Sequence, residues 1–393
     1  MKKYLLLIII IFIAIFYLKF SSNNYQNKKV DNLEIKENIK TKNNKNAKLT
    51  LVGDLLFEQP FYDAIANGDD KEEYFSLIKD YFQKDDLTIG NMEVVIGNSE
   101  LKSSGVGYNF CAPEYIGNLV SSLDFEVLGT ANNHAFDRGV KGINSTIDYF
   151  KNNSDFLTVG TYKSSERPLH ILEINGIKFG FLAYTYGTNQ KPNIEESLLI
   201  NYYKDINNKE IKKELLKEDI SKLKEQSDVV IVLMHWGNEF TYTPNNEQKE
   251  LAKYLNELGV NIIVGSHSHS IQPIEIIDDK YKTLVYYSLG NFVSADDDIA
   301  RTPKGVEEFD NAYQFGLLST LDVILDENNK VDLENIKTNI IVNYFDKNMR
   351  NFKLMPFNDY NDTYEKTHYR YSYGLTREFI KKTYEEVINS EFR

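Results

Sequence analysis

Histidine, carboxylate and amide residues occur along this chain in short polar clusters, most of which directly follow an apolar run. Four of the six histidines lie in these clusters. Imidazole, carboxylate and amide groups are ligands that proteins offer to divalent metal ions. Histidines scattered at random over a surface would not sort in this way, so the distribution predicts a metal site. The residues concerned are Asp54, Asn91, Glu93, Asn132, Asn133, His134, His235, Glu239, His267, His269 and Asn291.

The strongest single motif is the His-x-His pair formed by His267 and His269. Two imidazoles two positions apart, just past a buried strand, suit zinc, manganese or iron. The other clusters have simpler explanations when each is taken alone. A Gly-Asp pair such as that ending at Asp54 is common in turns, and a lone histidine such as His235 at a strand end is more often structural. Taken together, the clusters favour one divalent metal centre, with one or two ions.

Short apolar, β-branched runs alternate with amphipathic stretches, which is typical of an α/β domain. In α/β sheets, ligands bind beyond the carboxyl ends of the strands, and the polar clusters follow the runs at that place. We expect the last of the predicted helices to stop at Gly259. The sequence predicts strands at residues 49–52, 87–89, 127–128, 179–183, 229–234, 262–264 and 284–288, and helices at 143–150, 211–226 and 247–258.

The C-terminal segment, residues 301–393, has weaker patterns. It contains predicted strands at 315–324 and 336–342 and an amphipathic helix at 375–392. This segment either completes the domain predicted for residues 48–300 or forms a small appendage.

The N-terminal segment, residues 1–20, begins with Met1, Lys2 and Lys3 and continues as an uncharged apolar run over 4–18. This run is near the lower limit for a helix that crosses a hydrocarbon core of ~30 Å. A cleaved signal peptide would need small residues near its end. An uncleaved signal anchor fits better, and it predicts a single-pass cell-membrane protein whose bulk is extracytoplasmic. The Asn/Lys-rich residues 21–47 predict a polar linker.

Composition narrows the classes of partner. The net charge of −13 argues against nucleic acid, because phosphate binding needs a basic surface. The hydrophobic fraction of 42% is typical of a globular protein with a sizeable core. The single cysteine, Cys111, excludes an intramolecular disulfide and a cysteine-based zinc site.

The order of the polar motifs resembles that of the CapA family, the poly-γ-glutamate capsule biosynthesis proteins. The resemblance spans about residues 48–300 and implies a calcineurin-like metallophosphoesterase fold, a four-layer αββα sandwich, in an extracytoplasmic position. It rests on six motifs in order: Gly-Asp, Gly-Asn-x-Glu, Asn-Asn-His, His-Trp-Gly-x-Glu, Gly-Ser-His-Ser-His and Ser-Leu-Gly-Asn-Phe.

The resemblance also implies roles for individual residues. Asp54 and His269 correspond to ligands of a first metal. The ligands of a second metal correspond to Asn133, His235 and His267.

Further roles follow from the same resemblance. The position that bridges two metals falls on Asn91 or Glu93, and Glu93 is favoured because only it carries a charge. His134 resembles a general acid that protonates a leaving oxygen. Residues expected to orient the ligands or to contact substrate are Asn91, Asn132, Glu239 and Asn291. Trp236 either forms a wall of the pocket or packs in the core.

Two positions depart from the phosphoesterase pattern. Leu56 stands where that superfamily has a histidine, and Asn91 stands where it has an aspartate. These departures match CapA-type proteins and weaken the case for phosphatase activity.

Three functions therefore stay open. The first is a component of poly-γ-glutamate or envelope-polymer synthesis, export or anchoring, which works with membrane-bound synthase components on an anionic polymer. The second is an active metal-dependent hydrolase of a cell-envelope phosphoester or amide. The third is a structural surface protein with a degenerate site.

Overall fold

The computed structural model describes residues 44–107, 109–295 and 311–393, which form two mixed β-sheets and their covering helices. None of the helices in these ranges has the length and apolar character needed to cross a bilayer. The predicted anchor, residues 1–20, and most of the predicted linker lie outside the described residues.

The first sheet contains eight strands within the described ranges, in the order β14-β13-β12-β1-β2-β3-β4, with β11 paired to β1. Strands β1 to β4 and β11 run parallel to one another, whereas β12, β13 and β14 pair in antiparallel fashion. Their bounds are Lys45–Leu55 (β1), Leu87–Met92 (β2), Val127–Gly129 (β3), Leu157–Val159 (β4), Asn291–Val293 (β11), Phe315–Leu325 (β12), Val331–Tyr344 (β13) and Lys353–Pro356 (β14).

The second sheet has the order β5-β6-β7-β8-β10-β9 among the described residues. Strands β6, β7, β8 and β10 are parallel, and β5 and β9 are antiparallel edges. Their bounds are His170–Ile174 (β5), Ile177–Thr185 (β6), Val229–His235 (β7), Ile262–Ser266 (β8), Ile274–Asp278 (β9) and Lys282–Tyr286 (β10).

The two sheets pack face to face, and helices cover their outer faces. Strand β7 illustrates why: all seven residues are buried, as expected for a strand covered on both sides. Val229, Ile231 and Leu233 join the core between the sheets, whereas the alternate residues join the core beneath the outer helices. The layers are therefore helix, sheet, sheet and helix.

Helices occupy both outer faces. Three pack on the first sheet: α1 (Gln59–Ala66), α3 (Glu114–Ser121) and α4 (Gly139–Asn153). Two pack on the second: α6 (Lys213–Lys224) and α7 (Asn246–Leu258). The remaining helices are α2 (Lys79–Phe82), α5 (Ile194–Ser197), α8 (Asp362–Thr367) and α9 (Arg377–Val387), with 3₁₀ turns at Lys71–Glu73, Asn311–Gln314, Tyr369–Tyr373 and Ser390–Phe392.

The predicted α/β class is confirmed, and each predicted strand and helix has a counterpart. Helix α7 begins with a capping box between Asn245 and Gln248 and ends at Gly259, whose φ of 88° allows the left-handed cap expected there. The predicted helix over 375–392 is shorter, since it ends at Val387 and is followed by a 3₁₀ turn. Residues 311–393 supply β12 to β14, which extend the first sheet within the same compact unit.

Candidate metal centre

Asp54 lies near the carboxyl end of β1, between the ends of β2 and β11. Its register partners on the two sides are Asn91 and Asn291. The close approach of β11 requires glycine at position 53, because a Cβ there would lie 1.8 Å from the carbonyl oxygen of Gly290. The backbone NH of Asp54 then donates to that same carbonyl oxygen at 3.0 Å.

Three histidines reach this point from the second sheet. His235 is the last residue of β7, and His267 and His269 follow β8 directly. His267 and His269 have φ angles of 91° and 52°, a left-handed conformation that is unfavourable for residues other than glycine and that clusters at functional sites. The backbone NH of His267 donates to Asp54 Oδ2 at 3.1 Å, which ties the two sheets together.

Glu93 lies at the centre of this arrangement. Its Oε1 is 3.4 Å from His235 Nε2 and 3.8 Å from His269 Nε2. The side chain is fully buried, no described residue donates an NH to either carboxylate oxygen, and the carboxyl group is close to that of Asp54. Burial, followed by the charge of nearby Asp54, raises the pKa of Glu93 well above its usual value. Two buried carboxyl groups side by side are costly when ionised, and a cation would remove that cost.

Ligand atoms of several buried side chains converge around Glu93. One atom from each of Glu93, His267 and His269 lies within 4.8 Å of the others, and the same holds for Asp54, Glu93 and His235. Glu93 belongs to both groups, and each group combines residues that the resemblance divides between two metals: His267 with His269 in one, and Asp54 with His235 in the other. His267 Nδ1 is also buried without a hydrogen-bond partner among the described residues. The donor set therefore fits a divalent cation.

Burial lowers the pKa of His235 and of His267 well below the usual histidine value, and neighbouring imidazoles lower it further. Both rings are consequently neutral near pH 7, the form in which imidazole binds metals. Burial also raises the pKa of Asp54, against the opposing effect of His269.

Hydrogen bonds orient the imidazoles. Asn291 Oδ1 lies 2.8 Å from His269 Nδ1, and the Asn291 amide donates to the Tyr313 carbonyl oxygen at 3.0 Å. Ser266 Oγ lies 2.9 Å from His235 Nδ1. Asn291 was predicted to orient a ligand. Ser266 was not, although it directly precedes the His-x-His pair.

Two predicted amides also lie in the cluster. Asn133 Oδ1 is 2.8 Å from His235 Nε2, so Asn133 and His235 meet as two ligands of one metal would. Asn91 donates to Asp54 Oδ1 at 2.7 Å, and its amide nitrogen lies 3.4 Å from His235 Nδ1. Both residues considered for bridging therefore lie in the cluster, and the choice of Glu93 stays a prediction that rests on its charge.

His134 is held by a carboxylate that the sequence analysis did not single out. Its Nδ1 lies 2.7 Å from Asp137 Oδ2, and that oxygen also accepts from the backbone NH of Phe110 at 2.6 Å. Asn132 accepts from the backbone NH of His134 at 3.2 Å and donates to the Met92 carbonyl oxygen at 2.8 Å. The i, i+3 spacing of His134 and Asp137 was the available signal for this pair.

Trp236 and Glu239 take other positions. Trp236 is fully buried in the core beneath the outer helices of the second sheet, where its indole NH donates to the Tyr287 carbonyl oxygen at 2.9 Å. Of the two roles considered for Trp236, this position supports packing and not a pocket wall. Successive residues along a strand point to opposite faces, and His235 occupies the inner face. Glu239 is exposed, and its charge contributes to the raised pKa of Glu93.

Aromatic rings surround the imidazoles, and the sequence analysis did not identify them. The Tyr186 ring is centred 4.7 Å from that of His267. Tyr313 and Phe240 lie 5.3 and 6.0 Å from His269. Tyrosines and phenylalanines are so frequent in this chain that none of them stood out.

Leu56 occupies the position where the phosphoesterase pattern has a histidine, and it makes apolar contacts. Leu56 is 3% exposed and packs in the aromatic-rich core on the outer face of the first sheet. The first sheet therefore contributes Asp54 and Glu93, with the amide of Asn133, but no imidazole to the ligand groups.

The two histidines outside the clusters and the single cysteine lie away from the metal ligands. His368 is buried, and its Nε2 lies 2.9 Å from the Asn343 carbonyl oxygen. His170 stacks on Tyr162. Cys111 is buried and forms no disulfide.

Comparisons with known proteins identify the family. A model described as bacterial capsule synthesis protein PGA_cap matches residues 48–296, more than half of the chain. PGA biosynthesis protein CapA of Bacillus subtilis (strain 168) is 28% identical over 262 residues, which cover 65% of each protein. Capsule biosynthesis protein CapA of Bacillus anthracis is 28% identical over 271 residues, which cover 65% of this chain and 61% of the relative.

The match thus spans less than two thirds of the length of these curated relatives. Among solved structures, a putative 5′-nucleotidase from Staphylococcus aureus in complex with alpha-ketoglutarate is similar with a TM-score of 0.43 and 14% identity, over 79% of this chain and 54% of that one. The family match confirms the resemblance drawn from the six ordered motifs: the chain belongs to the bacterial capsule synthesis protein family PGA_cap.

Proposed function

We propose that this protein is a membrane-anchored, extracytoplasmic component of poly-γ-glutamate synthesis, export or anchoring, and that its outer domain is a calcineurin-like sandwich with a working metal centre. Family membership supports the pathway. The basic start and the apolar run over residues 4–18 support the anchor. Its partners are then the membrane-bound synthase components and the anionic polymer.

The observation that carries the proposal is the state of Glu93. A carboxyl group with no exposed surface and no NH donor among the described residues lies beside the Asp54 carboxyl group and between His235 and His269. A site that served only packing would be more stable with an apolar side chain at this position. The retained carboxyl group supports cation binding as its role.

The family resemblance supplies the division of ligands that we propose. Asp54 and His269 would hold one ion, His235, His267 and Asn133 a second, and Glu93 would be shared. The described side chains form one cluster around Glu93, in which His267 also lies near His269 and Asp54 near His235. Neutral imidazoles with carboxylates suit manganese, zinc or iron. A bound divalent cation would supply Lewis acidity toward an anionic oxygen.

A metal centre also addresses a charge problem. The chain carries a net charge of −13, which repels a polyanion at long range. A bound cation is the largest local charge at such a site and reverses the local potential. The proposed centre would thus give an otherwise acidic protein a place for a carboxylate or phosphate oxygen.

The test is made in the producing organism with the double variant His267→Ala/His269→Ala. We expect surface polymer to fall to the level of a gene deletion while the variant protein remains in the membrane fraction. His170→Ala, a histidine outside the cluster, is the matched control and should leave polymer unchanged. Normal polymer in the double variant, together with no metal in the purified wild-type protein, would contradict the proposal.

A second candidate, a metal-dependent hydrolase, is supported by the His134–Asp137 pair. Asp137 Oδ2 lies 2.7 Å from His134 Nδ1 and the Asn189 amide nitrogen lies 3.4 Å from Nε2. An imidazole whose Nδ1 donates to a carboxylate would donate a second proton, from Nε2, only in its doubly protonated form. A screen of phosphodiesters and γ-glutamyl peptides tests this function. Turnover that is lost in His134→Ala supports it, and turnover that persists in both His134→Ala and His235→Ala assigns the activity to a contaminant.

The third candidate, a structural protein with a degenerate site, is supported by Leu56, which replaces one ligand of the phosphoesterase pattern. It predicts no stoichiometric metal and no loss of stability in the double variant. Metal analysis of the purified protein separates it from the other two.

A further inference from the structure

A second polar cleft lies on the outer side of the second sheet, among α6, the loop of residues 162–169 and the segment that follows α5. Leu182 of β6 is among its lining residues. The cleft encloses about 1020 Å³ of empty volume, including its open mouth, and no residue of the metal centre lines it. It is therefore a separate feature of the molecule.

Two polar groups of this cleft have unused hydrogen-bonding capacity. Asn201 is 1% exposed, and its amide donates to the Tyr162 hydroxyl at 3.0 Å, but its Oδ1 accepts no hydrogen bond from any described residue. Arg167 Nη1 likewise donates none within the described ranges. A buried amide oxygen without a donor is costly, so a ligand that supplies an NH at this point would be stabilised.

Arg167 is paired only loosely. Its nearest anion is Asp219, with Nη1 3.6 Å from Oδ2, and that oxygen already accepts from the Tyr184 hydroxyl at 2.7 Å. The other acidic residue of the cleft, Glu218, is engaged by Lys222 at 2.6 Å. The guanidinium thus has capacity for a further, bidentate acceptor.

The charged side chains that line the cleft balance, since Arg167 and Lys222 are matched by Glu218 and Asp219, and one further cation lies nearby. Lys212 lies close enough that the Arg167 charge lowers its pKa, after the larger effect of burial. Apolar side chains form much of the remaining lining, and one of them, Leu198, is 47% exposed at the rim. The cleft combines a cation, an amide acceptor and apolar surface.

We propose that this cleft is a ligand site for a carboxylate carried on an aliphatic amide chain. The Arg167 guanidinium receives the carboxylate, Asn201 Oδ1 accepts an amide NH, and the methylene groups lie against Leu198 and its apolar neighbours. The proposed site does not depend on the metal centre, whereas the choice of a γ-linked glutamate chain as its ligand rests on the function proposed above.

The experiment measures binding of a γ-linked triglutamate peptide to the full chain in detergent micelles by calorimetry. EDTA is present throughout, so that the metal centre makes no contribution and failure of the two proposals can be told apart. We expect the wild-type protein to bind this probe and to bind the same peptide with its carboxylates converted to primary amides at least about tenfold more weakly, because the charge-assisted bond is lost.

Arg167→Gln should weaken binding by about tenfold or more, and Lys163→Gln, a cation of the same loop that does not line the cleft, by less than about twofold. Since Arg167→Gln could disturb folding, a second pair changes only the exposed rim. Leu198→Asp should weaken binding more than Leu198→Lys, because both remove the same apolar contact and only the aspartate repels the carboxylate of the peptide. Thermal unfolding of each variant checks that it is folded.

Three results would overturn the proposal. They are no binding by the wild-type protein up to about 10 mM peptide, which corresponds to a negligible affinity, equal affinity for the charged and amidated peptides, and equal affinity in Leu198→Asp and Leu198→Lys.

Discussion

The two sheets contribute different chemistry to the metal centre. The first sheet supplies the carboxylates of Asp54 and Glu93, and the second supplies the imidazoles of His235, His267 and His269. Carboxylates alone favour hard cations such as magnesium or calcium, whereas imidazoles extend the range to zinc, manganese and iron. The expected metal specificity is therefore a property of the packed pair of sheets, and neither sheet holds it alone.

The bonds between the sheets reinforce this division. Asp54 of the first sheet accepts from the backbone NH of His267, and Asn291 of the first sheet orients His269. His235 is held from both sheets: Ser266 Oγ of its own sheet lies 2.9 Å from Nδ1, whereas Asn133 Oδ1 lies 2.8 Å from Nε2 and the Asn91 amide nitrogen lies 3.4 Å from Nδ1. Correct packing of one sheet on the other thus positions all three imidazoles.

We expect the largest effect on metal binding from removing the charge of Glu93, a carboxylate of the first sheet. Glu93→Gln keeps the size of the side chain and removes the anion shared by both ligand groups. We expect metal affinity to fall by more than about 100-fold, about 2.8 kcal/mol, which exceeds the usual effect of losing an orienting residue. Competition titration with a chelator and elemental analysis measure the loss. The matched change Glu239→Gln, on an exposed carboxylate near the site, should cost less than about threefold, and equal losses would show that Glu93 is no ligand.

Adding an imidazole to the first sheet tests whether that sheet can also supply a nitrogen ligand to the metal. Leu56→His restores the phosphoesterase residue type, but Leu56 points into an apolar core away from the cluster. We expect no additional metal and a loss of about 1–3 kcal/mol in the free energy of unfolding, because a buried imidazole finds no partner there. Denaturant unfolding measures the loss, with Leu56→Met as a volume-conserving control. An increase in bound metal would mean that β1 can rotate this residue into the site.

The smallest effect is expected at the opposite end of the first sheet, where the partly buried carboxyl group of Glu126 lies. Burial, followed by nearby Asp85, Asp124 and Asp86, raises the pKa of Glu126 to about 7. The folded protein therefore holds a proton that the unfolded chain releases, so stability falls as pH rises between about 4.5 and about 7.

Glu126→Gln keeps the hydrogen bond from the Thr88 backbone NH and should flatten that decline. The melting temperature measured across this pH range checks it. The exposed Glu173→Gln should leave the profile unchanged. If Glu126→Gln leaves the wild-type profile intact, the carboxyl group is not protonated in the folded protein.

The sequence was sufficient for elements with a strong apolar pattern. Runs such as Val229–His235 are buried on both faces and so read as continuous β-branched stretches. The three-residue strands β4 and β11 could not be predicted, because their pairing is set by neighbours far away in the chain. The same holds for the edge strand β14.

The site was partly predictable for a similar reason. Its ligands stand in recognisable motifs, whereas Ser266 and Asp137 are common residue types whose roles depend on which side chain they meet. Strand alternation alone would have turned Trp236 away from His235. The cleft at Arg167 brings together residues from four separate segments, and no local pattern could reveal it.

The pairing of β1 has a consequence for how the protein is made. Lys45, the first residue of β1, pairs with Leu325, and Asn291 donates to the Tyr313 carbonyl oxygen. A ribosome that has released only residues up to 296 has therefore produced every metal ligand but not the strand that covers β1 on that side. Until β12 is synthesised, β1 presents an open edge able to pair with another chain. The residues that form β12 thus govern when β1 can safely complete its sheet.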